Sequence, residues 1–123
     1  MKNFLFICTL LATGPVAAEW VNVGTFGDNS LFIDPTTVRK DGDFRKVWGI
    51  QDLKVRDSDG ELSRRYREEY DCNARRKRFL SATSHSELMA GGKTLSTITE
   101  PSPWSDIRPN TVADDILKMV CAN

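Results

Sequence analysis

The sequence predicts an α+β domain: an antiparallel sheet of about six strands with one carboxy-terminal helix packed on one face and tied to it by a disulfide. Three observations carry this. Short apolar or β-branched runs alternate with Gly, Asp and Asn turns from residue 20 to residue 99. A single stretch of helical spacing follows at the end of the chain. Two cysteines, Cys72 and Cys121, fall one at the end of a strand and one on that helix.

The elements follow a leader. Residues 1–18 read as a signal peptide: Lys2 gives the positive start, Phe4 to Ala12 the apolar run, and Val16-Ala17-Ala18 a small-residue cleavage site before Glu19. The apolar run is far shorter than the roughly 20 residues of a membrane-spanning helix. Cys8 has bulky Phe6 and Ile7 beside it and more apolar chain after it, which fits simple secretion better than a lipoprotein leader. Residues 19–123 then form one domain with one core and no transmembrane segment. Without Lys2 the chain carries 16 basic and 17 acidic side chains, a net charge of −1. No global charge points to nucleic acid or to an anionic membrane.

Trp20 to Gly24 and Leu31 to Ile33 read as a first strand pair joined through Gly27-Asp28-Asn29. Asp34-Pro35-Thr36-Thr37 reads as a turn, because Pro fixes φ and Asp bonds the backbone that follows. Val38 to Lys40 and Phe44 to Val55 flank the hairpin signal Asp41-Gly42-Asp43, and Asp57 to Gly60 forms a second loop before the strand Leu62 to Cys72. Arg78 to His85 and Lys93 to Thr99 are the remaining strands, with Gly91-Gly92 as a turn. Along Leu62 to Cys72, period 2 puts Leu62, Arg64, Tyr66, Glu68, Tyr70 and Cys72 on one side. Ser63, Arg65, Arg67, Glu69 and Asp71 share the other side, which carries no apolar residue and reads as solvent-facing.

The helix begins at Thr111, with Thr111-Val112-Ala113-Asp114 as a variant capping box. Val112, Ala113, Ile116, Leu117, Val120 and Cys121 recur at helical spacing, with Asp114, Asp115 and Lys118 directed elsewhere. Cys8 leaves with the leader, so Cys72 and Cys121 have only each other as partners, and an oxidising compartment pairs them. Closing a loop of about 50 residues is worth roughly 4 kcal/mol in the chain-entropy model.

No catalytic constellation is legible. The lone histidine, His85, has no cysteine or carboxylate at metal-ligand spacing, and Ser84-His85-Ser86 is mere adjacency, since neighbouring strand residues point to opposite faces. Asp57, Asp59 and Glu61 alternate like part of a calcium loop but lack the rest of the pattern. Gly91-Gly92 lacks the lysine and hydroxyl of a phosphate loop. No cofactor and no metal is expected. One feature stands above background: Arg64 to Arg78 holds seven basic residues against three acidic ones. The plain reading is a solvated face with cross-strand Arg–Glu pairs. The sharper reading is an anion-binding surface, carried by Arg65, Arg67, Arg76 and Arg78, for a sulfated glycan, a lipid head group or an acidic protein loop. Trp20, Trp48 and Trp104 read as packing residues, Trp104 in a loop that crosses the sheet edge.

Several elements recur together in one order: an opening Trp20 strand, Asp34-Pro35, Val47-Trp48, Tyr70-Asp71-Cys72, Arg75 to Arg78 running into Leu80-Ser81, Pro103-Trp104, Pro109, and a helix ending Val120-Cys121. In this the chain resembles the surface-adhesin protein E family of proteobacterial envelope proteins. The resemblance implies an antiparallel sheet with a disulfide-tied carboxy-terminal helix and binding of host extracellular-matrix proteins. The expectation is therefore a non-enzymatic, adhesin-like binding module that recognises a protein or an anionic glycan or other anionic polymer. It would be exported to the periplasm or the outer cell surface. The alternative is a periplasmic structural or stress-related protein acting through envelope partners.

Overall fold

The computed structural model describes residues 18–122; the leader up to residue 17, with Cys8, lies outside the described residues. The elements in chain order are β1 (Val21–Phe26), β2 (Asn29–Asp41), β3 (Phe44–Asp52), β4 (Ser63–Asp71), β5 (Arg76–His85), β6 (Thr94–Ile98), β7 (Ser105–Asp106) and α1 (Val112–Val120). The strands form one antiparallel sheet in the order β1-β2-β3-β4-β5-β6, with the two-residue β7 paired to β5. A meander of this kind follows from the short turns between runs. At Asp41-Gly42-Asp43-Phe44, Asp41 pairs directly with Phe44 and Gly42 takes φ 58°, a conformation glycine adopts without penalty.

Asp34 to Thr37 does not break the strand as the sequence predicts. It forms a bulge inside a continuous β2, between Asp34 and Arg39 in the pairing with β3. Asp34 Oδ1 accepts from the Thr36 N–H at 3.0 Å, and Thr37 Oγ1 donates to the Asp34 carbonyl at 2.7 Å. The same Thr37 hydroxyl accepts from the Trp48 N–H at 3.0 Å. A side-chain oxygen thus replaces the missing ladder carbonyl, and the strand resumes beyond it.

α1 covers one face of the sheet. Thr111 caps it by accepting from the Asp114 N–H at 3.2 Å. Ile116, Leu117 and Val120 pack with Ile33, Val47, Tyr70 and Ile107 in one buried cluster, edged by Val112, Ala113 and Cys121. The Cys72–Cys121 disulfide joins the end of β4 to the end of the helix, with Cα atoms 5.9 Å apart. At the other end of the helix, the position a Cβ on Gly24 would take lies 3.0 Å from Val112 Cγ2, and Gly24 has φ 133°. A side chain there would collide with the helix and strain the backbone.

Two polar positions carry the junction between sheet and helix. Asp71, between Tyr70 and Cys72, accepts from the N–H groups of Asn73 and Ala74 at 3.1 and 3.0 Å and so shapes the turn into β5. Asp114 is not directed away from the core as helical spacing predicts; it is 1 % exposed. It accepts from Arg75 Nη2 at 2.8 Å and from the Asn110 N–H at 3.0 Å, and lies 3.2 Å from Lys118 Nζ. The Arg75 contact first, then the Asn110 N–H, hold its pKa down at about 2 against the opposing effect of burial.

Candidate functional site

Strand pairing assembles the face opposite the helix. Cross-strand partners share a face, so Asp71, Glu69 and Arg67 of β4 stand beside Phe44, Lys46 and Trp48 of β3, and Asp71 and Glu69 beside Arg76 and Arg78 of β5. The pairing of β7 with Lys77 and Arg76 brings the preceding residue, Trp104, across β5 onto this face. Its ring lies 5.8 Å from that of Phe44.

The result is an arginine–tryptophan surface. Arg65 stacks over Trp48 at 4.2 Å from the ring centre, with Arg67 at 5.9 Å. Arg76 and Arg78 stack over Trp104 at 4.7 and 4.5 Å. The structure therefore brings all four arginines singled out in the sequence onto one face, each against an indole. It also corrects the expectation that β4 presents an open, wetted side. Ser63, Glu69 and Asp71 are 0 %, 6 % and 5 % exposed. β4 contributes no apolar residue here; Trp48 and Trp104 arrive from β3 and the loop before β7, and Trp104 lies against Arg76 and Arg78, which pair with Asp71 and Glu69.

The two halves of this face differ in charge. Arg76 Nε is 3.1 Å from Asp71 Oδ2, and Arg78 Nη2 is 2.8 Å from Glu69 Oε1. The Asp71 pKa is lowered by the Ala74 N–H first and then by Arg76, against burial. The other basic residues of the stretch are paired as well: Arg64 with Glu61 and Asp57, Arg75 with Asp114, and Lys77 with Glu68 on the helix side. Arg65 and Arg67 form no ion pair among the described residues; their partner is Trp48.

Two further cations lie at this end, Arg39 and Lys46, directly paired across β2 and β3. Sequence reading missed them, because their place beside Trp48 depends on inter-strand register rather than on spacing along the chain. Beside Trp48 a pocket of about 410 Å³ is walled by Trp20, Asp34, Thr36, Arg39, Trp48 and Arg65.

His85 is a packed strand residue. It is 7 % exposed, with Nε2 2.7 Å from Thr83 Oγ1 and with Nδ1 lacking a protein partner. Burial first, and then the Arg65 charge, lower its pKa, so the imidazole is neutral near pH 7, with Glu61 opposing. Among the described residues no three His, Cys, Asp or Glu side chains gather as a metal site, and no helix is long and apolar enough to cross a membrane.

Comparison with known proteins accords with this architecture. The sequence profile of the family described as Surface-adhesin protein E matches residues 20–122. Crystal form II of Haemophilus influenzae protein E superposes with a TM-score of 0.66 at 13 % identity, over 94 % of this chain and 97 % of that one. The selenomethionine form gives 0.64 at 13 % identity over 93 % and 94 %, and protein E from a non-typeable strain gives 0.61 at 14 % over 94 % and 84 %. A search of curated proteins returned no significant relative. At such identities the structures establish a shared fold. With the profile spanning nearly all of the described residues, the chain belongs to the surface-adhesin protein E family.

Proposed function

We propose that this protein is a non-enzymatic, exported, adhesin-like module that binds an anionic polymer, a sulfated or carboxylated glycan of the kind found in host matrix, on the Trp48 end of its arginine–tryptophan face. The observation that carries the reading is the charge difference across that face. Arg76 and Arg78 are neutralised by buried acids, whereas Arg65 and Arg67 form no ion pair among the described residues and lie over Trp48. A guanidinium held over an indole keeps its outward N–H groups available for sulfate or carboxylate oxygens. Arg39, whose guanidinium donates to the Thr36 and Val38 carbonyls, and Lys46 add charge at the same place, so the ligand would meet several cations that form no ion pair among the described residues.

The test is retention on immobilised heparin. The unmodified protein is expected to elute at a defined salt concentration, since contacts between exposed charges are screened by salt. Replacing Arg65 and Arg67 by Ala should move elution to markedly lower salt, with the melting temperature nearly unchanged. Equal retention after that replacement rejects the site. Protease shaving of intact cells tests location: loss of the protein places it outside, and protection until the outer membrane is opened favours the periplasmic alternative.

A further inference from the structure

Among the described residues six carboxylates are buried: Asp34, Glu61, Glu68, Glu69, Asp71 and Asp114. Five of them sit against a cation: Glu61 against Arg64, Glu68 against Lys77, Glu69 against Arg78, Asp71 against Arg76, and Asp114 against Arg75 and Lys118. Asp34 is the exception. It is 3 % exposed, and no lysine or arginine pairs with it among the described residues. Its Oδ1 is taken by the Thr36 N–H at 3.0 Å and the Thr36 hydroxyl at 2.5 Å. Its Oδ2 accepts at 3.1 Å from a backbone nitrogen, that of Glu19. A buried carboxylate served by neutral donors alone is costly relative to a paired one.

The nitrogen on Oδ2 belongs to the residue that follows the small-residue cleavage site. We infer that removal of the leader after Ala18 supplies the missing cation, leaving the α-ammonium of Glu19 ion-paired with Asp34 and fastening the start of β1 to the bulge of β2. Hydrolysis breaks the bond between the Ala18 carbonyl carbon and the Glu19 nitrogen. The hydroxyl of water goes to the Ala18 carbonyl, and the nitrogen takes the remaining proton of water and one more from solvent. What was a neutral N–H donor becomes a charged one at the same position, and such bonds are roughly twice as strong as neutral ones. The other charged groups facing this place are Arg39 and Arg65, across the pocket that Asp34 also lines. Asp34 is the one acid in that wall and Ala18 is part of it. Cleavage therefore neutralises the pocket's acid and removes a wall residue, leaving Arg39 and Arg65 to attract an anion. This second consequence rests on the ligand reading above; the ion pair does not.

The experiment starts from the full chain expressed with its leader and recovered after export. Mass spectrometry is expected to place the mature amino terminus at Glu19. Titration of the α-amine by NMR should give a pKa about one unit above the ordinary 7.7–8.0, returning to that range in Asp34→Asn. A second variant, with one Gln inserted between Ala18 and Glu19 so that the small-residue site still ends at Ala18, keeps an ammonium but moves it one residue away. It should melt lower than the parent and elute earlier from heparin. A different mature terminus, or an ordinary α-amine pKa that ignores Asp34→Asn, overturns the ion pair. Unchanged heparin elution of the insertion variant overturns the pocket's dependence on cleavage while leaving the ligand reading intact. Absence of heparin retention in every form rejects the ligand reading, and the amine titration still decides the pair.

Discussion

Trp104 and Trp48 each meet two arginines on the same face of the same sheet, yet they sit in different electrostatic settings. Around Trp104, Arg76 and Arg78 are ion-paired with Asp71 and Glu69, both buried. Around Trp48 the positions across from Arg67 and Arg65 on β5 are Ser81 and Thr83, and the acid on this side, Asp34 across from Trp48 on β2, is bonded to Thr36 and Glu19 rather than to either arginine. The difference teaches that one side-chain motif serves two ends. With acids beneath it, the stack becomes a lid on a paired network. Without them, it presents fixed positive charge outward.

The largest test of this division is the bridge that anchors the Trp104 half, since Asp71 adjoins Cys72. Cys72→Ser should cost about 4 kcal/mol and lower the melting temperature by more than 10 °C in calorimetry. Below its melting point the variant should still bind heparin, because Arg65, Arg67 and Trp48 stand on β3 and β4, away from the helix. Next in size are the tryptophans themselves. Trp104→Ala should destabilise by about 2 kcal/mol with little change in heparin elution, and Trp48→Ala should show the reverse emphasis. Equal effects of the two substitutions on both measurements would erase the comparison.

The smallest effect is an acid titration. Asp71 and Asp114 have folded pKa values below the ordinary 3.8, with Asp114 at about 2. The folded state thus binds fewer protons than the unfolded state in acid. Stability from these groups is complete above the ordinary carboxylate value and is lost as pH falls through the folded one. Melting temperature followed from pH 5 to pH 2 should drop, and Asp114→Asn should start lower and drop less. A parallel slope in that variant would separate Asp114 from the acid response.

Much of the fold was legible because it is written locally. Turn glycines, the period-2 pattern of Leu62 to Cys72 and the capped apolar helix each depend on neighbours in the chain, and the exported cysteine pair has one solution. What escaped reading is non-local. The Thr37 hydroxyl that carries β2 through its bulge is identified only by the Trp48 N–H eleven positions away. β7 has two residues, too few for any periodicity, and it places Trp104. The burial of Asp114 depends on Arg75, which reaches it from another element. The candidate site shows the same limit. Spacing along β4 put Arg65 and Arg67 on one face, but which arginines are neutralised is decided by the strands that lie alongside. Arg39 and Lys46 join the face through register alone.

The close approach of Gly24 to Val112 sets an order on assembly. A polypeptide emerges amino end first, and here its first strand waits for its last helix. Until residues 112–120 are available, Ile33, Val47 and Tyr70 have no cover, and the sheet shows solvent the surface that later becomes its core. Contacts spanning most of the chain slow folding, because a long loop must close before they stabilise anything. During that interval the nascent sheet is a substrate for holding chaperones and for proteases. That exposure ends when Ile116, Leu117 and Val120 dock on the sheet.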